Sequence, residues 1–191
     1  MDLWRATAEK IINFASNIRR DCIAVVDGPR NLVLKGNAKV INPTDPTKNF
    51  SNTIGMALSY IGGLNSNYGA MYINWAKMID AYKGIPFWVP PSSLAAGIFV
   101  RTDRVANIWD APFGFNRGVL GNIVDTAFNP KEKEAGQIYS KAMNYIRQYP
   151  KDGFILEGQK TLQVKPSAFD RINVRRMFLR LERYTYQTAR Y

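Results

Sequence analysis

The sequence predicts an α/β sandwich, a mixed sheet flanked by helices, and two observations lead there. Short apolar runs alternate with segments whose apolar residues recur at helical spacing, the pattern of a layered strand-and-helix fold rather than of a bundle. The 191 residues show no internal repeat, no low-complexity tract and no sustained heptad, and at 46% apolar they suffice for one core. A single domain over 1–191 is the expectation.

The elements follow in order. Ala8, Ile11, Ile12, Ala15 and Ile18 fall near helical spacing and predict an amphipathic helix over 3–18. Ile23 to Val26 reads as a buried strand. Cys22, the lone cysteine, cannot close an internal disulfide, behaves as a small hydrophobe and fits a reducing compartment. Asp27-Gly28-Pro29 is turn chemistry. The stretch 31–50, with Asn42-Pro43-Thr44-Asp45-Pro46, reads as an irregular loop, because prolines and their predecessors resist helix. A helix capped by Ser51 or Asn52 closes at Gly62-Gly63 and feeds an aromatic-rich strand, Tyr68 to Trp75.

Ile85 to Val89 is a further apolar run stopped by Pro90-Pro91. Ser92 then caps a helix with Leu94, Ala95, Ile98 and Phe99 on one side. Beyond Trp109-Asp110-Ala111-Pro112-Phe113-Gly114 comes the run Val119 to Val124. Asn129-Pro130 opens a polar helix to about Ala142. Asn144 to Arg147 and Phe154 to Leu156 are strands, either paired as a hairpin or simply adjacent. Ser167 and Asp170 offer caps for a closing helix that runs to Arg190 without Gly or Pro. Its spacing predicts a packed face of Val174, Met177, Phe178, Leu181 and Tyr184, and an exposed stripe of Arg176, Arg180, Arg183 and Arg190.

Charge concentrates at that end. The formal net charge is +11, and from Lys165 to Tyr191 seven bases face two acids, which accounts for +5 of it. A like-charged stripe costs stability unless something acidic meets it, so an acidic partner is one reading and a merely basic surface the other. Nucleic acid is one such partner, with Tyr184, Tyr186 and Tyr191 as stacking groups, although no RNA- or DNA-binding motif is recognisable elsewhere.

Much chemistry is excluded. The chain has no histidine, which removes the commonest general base, the usual partner of Ser or Cys nucleophiles and the commonest transition-metal ligand. Gly62 to Gly69 lacks the spacing and the Lys-Ser/Thr ending of a phosphate loop. The carboxylate pairs Glu132 with Glu134 and Asp103 with Asp110 read as solvated surface acids. No catalytic residue, cofactor or metal ligand is predicted, and no apolar run reaches the roughly 20 residues of a membrane span. Met1 to Arg5 carry an early acid and do not open a secretory signal.

The stretch Val89-Pro90-Pro91-Ser92-Ser93-Leu94-Ala95-Ala96-Gly97-Ile98-Phe99-Val100-Arg101-Thr102-Asp103, followed by Asn107-Ile108-Trp109-Asp110-Ala111-Pro112-Phe113-Gly114, resembles the best-marked part of the tail sheath proteins of contractile-tailed bacteriophages. Asp152-Gly153-Phe154 through Gly158-Gln159-Lys160-Thr161-Leu162 is similar to that family's strand and Gly-x-x-Thr-Leu segment. Ile172-Asn173-Val174-Arg175-Arg176 with Glu182-Arg183 is similar to its Asn-Val-Arg-Arg helix. Arg19 to Ala24 and Tyr68 to Trp75 match more weakly. The resemblance spans about residues 10 to 191, weaker over 1–84 and stronger over 85–191. Ser93 stands where the family usually has glycine, and Phe113 is bulkier than the family's small residue. The family's N- and C-terminal arms are absent, so the expectation is a fragment of a longer subunit, the product of a divergent split gene, or a chain trimmed to its conserved core.

The resemblance implies a non-enzymatic structural subunit that polymerises helically around a tail tube and contracts to drive the tube through the host envelope. Its partners would be copies of itself, the tube protein, and baseplate and terminator proteins. The place would be the virion tail, after assembly in the host cytoplasm. Arms of neighbouring subunits would add strands to the core sheet. Arg175, Arg176, Arg180 and Arg183 become candidate tube or inter-subunit contacts, with buried intrachain pairing of Arg175 or Arg176 as the alternative. Pro90, Pro91, Gly97, Thr102, Asp103, Trp109, Pro112, Gly114 and Asn173 form the motif core. No membrane and no direct nucleic acid is implied, which leaves a basic nucleic-acid-binding module as the competing reading.

Overall fold

The computed structural model describes residues 2–41, 45, 47–61 and 63–190. Of the expected loop Asn42 to Pro46, only Asp45 is among them. The expected closing residue Gly62 and the proposed stacking residue Tyr191 also lie outside the described residues.

Helix α1 (Asp2–Asn13) buries Ala8 and Ile12, then widens into a π-helical stretch, Phe14–Arg19, which buries Ala15. Ile11 and Ile18, expected on the packed face, are exposed. The wider pitch ends at Arg20, whose φ of 61° is left-handed. Strand β1 (Ala24–Asp27) follows.

The stretch read as irregular loop instead holds a short helix, α2 (Arg30–Val33), and a small hairpin of β2 (Leu34–Lys35) and β3 (Ala38–Lys39). Gly36, at φ 62°, supplies its turn. Helix α3 (Phe50–Ile61) forms as predicted, but its cap is Asn49, whose Oδ1 accepts the Asn52 N–H at 2.9 Å.

Strand β4 (Gly69–Tyr72) lies in the expected aromatic run. Strand β5 (Ala76–Ile79) was not expected; it pairs antiparallel with β6 (Pro86–Val89), joined by a turn in which Asp80 Oδ1 accepts the Tyr82 and Lys83 N–H groups. Helix α4 (Pro91–Val105) comes next, then α5 (Gly114–Arg117). The single run expected at 119–124 becomes two strands, β7 (Val119–Leu120) and β8 (Ile123–Thr126), because Gly121 and the positive-φ Asn122 turn the chain between them. Helix α6 (Glu132–Ser140) starts later than its expected Asn129 cap: Asn129 Oδ1 is held by the Gln148 N–H at 2.9 Å, and Glu134 accepts the Lys131 N–H instead. Strands β9 (Met143–Tyr149) and β10 (Gly153–Glu157) form the hairpin outright, and α7 (Ile172–Thr188) closes the chain.

The main sheet has the order β1-β4-β9-β10-β7, parallel across its first two pairings and antiparallel across the last two. A three-stranded antiparallel sheet, β6-β5-β8, stands beside it. Successive side chains of a strand face opposite ways. Accordingly, Met71 and Ile73 join the core built with α1, α3 and α6, while Ala70 and Tyr72 join the one built with α4 and the start of α7. The predicted mixed sheet with helices on both faces is the fold observed.

Two buried asparagines fasten the sheet centre. Asn74 Oδ1 accepts the Ile146 N–H at 2.6 Å. Asn144 Nδ2 donates to the Met71 and Lys160 carbonyls at 3.0 and 2.9 Å, and its Oδ1 accepts the Lys160 N–H at 2.8 Å. Glycine is required beside it: at Gly158, φ 89°, a Cβ would sit 2.6 Å from Asn144 Oδ1.

Candidate assembly surface around the C-terminal helix

The proline pair sets the start of α4. Pro90 is extended at the N-cap and Pro91 fills the first helical position, where a missing N–H costs nothing. The orphan amide of Ser92 is met from another element: Asp27, at the end of β1, accepts the Ser92 N–H at 2.6 Å and the Ser92 hydroxyl at 2.8 Å. Ser92 is therefore not the cap expected from sequence. Burial pushes the Asp27 carboxyl up from its ordinary range, and the two Ser92 hydrogen bonds pull it part of the way back.

Among the other motif residues, Asp103, Trp109 and Asn173 join α4 and the segment after it to α7. Thr102 is buried with its hydroxyl on the Ile98 carbonyl at 2.8 Å. The next residue, Asp103, takes Arg176 Nη2 on both carboxylate oxygens, at 2.7 and 2.5 Å. Asn173 Nδ2 donates to the Trp109 carbonyl at 2.9 Å. Pro112 is buried, and Gly114, at φ 79°, starts α5. Gly97 lies on the exposed side of α4 with open space around it, so nothing in the chain requires glycine there. Thus Asp103 and Trp109 at one end and Asn173 and Arg176, more than sixty residues on, act as one brace.

Helix α7 does not pack as its apolar spacing predicted. The buried face is Ile172, Arg175, Arg176 and Leu179, at i, i+3, i+4 and i+7. Arg175 is 5% exposed, with its guanidinium 3.5 Å from the Tyr68 ring centroid and 5.3 Å from that of Phe169. Arg176, 9% exposed, lies 5.0 Å over Phe99 besides pairing with Asp103. Flat guanidinium groups stack on aromatic faces and carry long apolar stems, so both arginines serve as packing residues. Burial lowers the pKa of Arg175. Leu181 and Tyr184, expected in the core, are 52% and 65% exposed.

The four arginines taken as contacts therefore separate. Arg175 and Arg176 are taken up inside the chain, Arg176 by the intrachain pair held open as the alternative. Arg180 and Arg183 are exposed on the rim of a groove of about 370 Å³, floored by Ile23, Val25 and Phe99 between β1, α4 and α7. The Arg19 hydrogen bond holds the Asp21 carboxyl below its ordinary range, and Arg183 adds a weaker pull. From Arg180 to Arg190 every residue of the chain end is exposed. Arg190 stacks over Tyr186 at 5.1 Å, which uses one of the two described rings put forward for base stacking.

Among the described residues no His, Cys, Asp or Glu cluster is arranged to hold a metal ion, and no helix is long and apolar enough to cross a membrane. The arrangement is a braced surface.

No protein-family model matches the chain. It is 31% identical over 186 residues to the tail sheath protein of Enterobacteria phage T4, covering 97% of this chain and 28% of that protein. It is 31% identical over 182 residues to the tail sheath protein of Vibrio phage KVP40, covering 94% and 27%. The tail sheath protein of Salmonella phage ViI is 35% identical over 127 residues, 66% of this chain and 20% of that protein. The fold matches the sheath complex of an extracellular contractile injection system, PVC, in the contracted state: TM-score 0.64, 23% identity, 86% of this chain and 40% of that one. The helical sheath of the anti-feeding prophage in its contracted state matches at TM-score 0.63 and 22% identity over 93% of this chain and 41% of that one. The competing nucleic-acid reading finds no support among these proteins. The chain belongs with the phage tail sheath proteins, as a homologue of a stretch covering a little over a quarter of their length.

Proposed function

We propose that this chain is a core part of a contractile tail sheath subunit, a non-enzymatic element of the virion tail that assembles in the host cytoplasm. Its partners are copies of itself in a helical sheath, the tube protein inside, and baseplate and terminator proteins at the ends. The observation that carries this reading is the 31% identity to a tail sheath protein across 97% of the chain.

The geometry supports a division of labour. A contracting lattice needs subunits that move as bodies, and the asparagine ties and the Asp103–Arg176 brace make the core one such body. Strands β1 and β7 are the edges of the main sheet, each paired on one side only, and supply places where a neighbour's arm can add a strand. Arg180 and Arg183 face outward and suit acidic groups on the tube. Exposed ion pairs are worth only about 0–1 kcal/mol each, so many copies hold an extended sheath while each contact still releases.

The test is charge reversal in the source phage. Arg180→Glu with Arg183→Glu is expected to leave the subunit folded and to lower assembly of sheath around purified tubes at least tenfold. Assembly at the normal rate contradicts the tube-contact role.

A further inference from the structure

We propose a second partner surface, away from the tube-facing arginines: a cationic groove between the end of the first helix and the 163–165 segment that receives an extended acidic segment of another polypeptide. The groove holds about 680 Å³ and opens broadly to solvent. Side-chain amides and hydroxyls line it, among them Asn13, Ser16, Asn67 and Gln163.

Its charge is unbalanced. Arg20 and Lys165 reach it, and neither side chain has an ion-pair or hydrogen-bond partner among the described residues. The one acid in the wall, Glu9, is taken by Arg5 at 2.9 Å. Behind the wall lies a third cation: Arg175, 5% exposed, stacks on Tyr68, which lines the groove, and its buried Nε has no hydrogen-bond acceptor among the described residues. Burial lowers the Arg175 pKa, Glu182 pulls it part of the way back, and nearby Arg20 adds a smaller push downward. Arg20 and Lys165, which form no ion pair among the described residues, call for an anion from outside.

The backbone at this wall is also unusual. The π-helical turns that contribute Ser16 and Asn17 end at Arg20 in a left-handed conformation, φ 61°. Such features cost energy and cluster where a surface is used.

A peptide suits the lining better than nucleic acid. The Nδ2 groups of Asn13 and Asn65 and the whole Asn67 amide make no hydrogen bond among the described residues and match the alternating carbonyls and amides of an extended backbone. Among the described lining residues Tyr68 is the one aromatic ring, and Arg175 already occupies one of its two faces, so the groove offers little base-stacking surface.

The experiment is fluorescence anisotropy with a labelled Glu-Ser-Glu-Ser-Glu-Ser-Glu-Ser peptide at low salt. The wild-type chain is compared with Lys165→Glu, with Lys165→Glu plus Arg20→Asn, and with a control, Arg183→Glu plus Arg190→Glu, that lowers net charge elsewhere. Asn tolerates the left-handed position, and Lys165→Glu alone serves if the double variant folds poorly. The expected result is a tenfold or greater rise in Kd for the groove variants, less than twofold for the control, and no binding of the Gln-Ser counterpart. Equal loss in groove and control variants, no binding of the acidic peptide, or tighter binding of a single-stranded oligonucleotide of equal charge overturns the proposal. None of these outcomes depends on the sheath reading.

Discussion

Asp103 of α4 holds Arg176 of α7 by two hydrogen bonds from one guanidinium nitrogen, and the ring of Phe99, one turn earlier on α4, lies under the same guanidinium. The pair spans 73 residues of sequence and joins two helices on the same face of the sheet. The Thr-Asp ending of one motif and the Arg-Arg of the other are the two halves of this contact.

Removing Asp103 leaves a buried cation without its carboxylate. Breaking a fully buried pair costs about 3–5 kcal/mol, and because Asp103 itself is partly open to solvent, Asp103→Ala is expected to cost about 2 kcal/mol. Arg176→Met, which keeps the stem over Phe99, should cost less. Urea denaturation of the two single variants and the double variant measures the coupling; a coupling energy near zero sinks the brace.

Asp27 makes stability depend on pH in a direction opposite to most paired acids. Its folded pKa lies above the ordinary aspartate value of 3.8, so its contribution is fully present below that value and is lost as pH rises through the folded pKa. Relative to Asp27→Asn, the wild-type chain should therefore gain stability as pH falls through that window. Asp27→Ala removes the cap on α4 and should cost about 1 kcal/mol at neutral pH. Denaturation midpoints from pH 7 to pH 4 check both; a wild-type advantage that shrinks on acidification contradicts the assignment.

Gly158→Ala drives a Cβ into Asn144, whose amide bridges Met71 and Lys160, and forces a left-handed alanine at φ 89°. The expected loss is about 2–3 kcal/mol. Gly97→Ala, in open space on α4, should instead gain several tenths of a kcal/mol from helix propensity. Thermal melts of the pair distinguish a structural glycine from a tolerated one.

The corrected face of α7 makes its own forecast. Leu179→Ala should cost about 2–3 kcal/mol as a buried truncation, whereas Leu181→Ser with Tyr184→Ser should change the stability of the isolated chain by less than about 0.5 kcal/mol. A larger loss at Leu181 and Tyr184 restores the face that spacing alone predicts.

The sandwich, the α1, α3, α4, α6 and α7 helices and the central strands were legible because each carries its own period or punctuation. The α7 face was misread for a physical reason: apolar counting treats arginine as solvent-seeking, yet Arg175 and Arg176 bury flat groups against Tyr68, Phe169 and Phe99. The motif resemblance set Asp103 and Arg176 in separate segments and gave no signal that they touch. The caps were misassigned because Asp27 and Gln148 reach their helices and loops from far along the chain, where local rules are blind. Strand β5 carries a lysine and half-buried residues, and its pairing with β6 and β8 rather than its composition makes it a strand. Arg20 and Lys165 lie in separate segments, so the groove they share had no sequence signature.

The central claim is that this chain forms part of a sheath around a contractile tail, and immunogold electron microscopy tests it most directly. Antibody raised against the chain is applied to intact particles from its source, and label is scored along extended and contracted tails. Label repeating along the tail shaft is the predicted result. Label confined to heads or fibres, or no label on any particle, contradicts it.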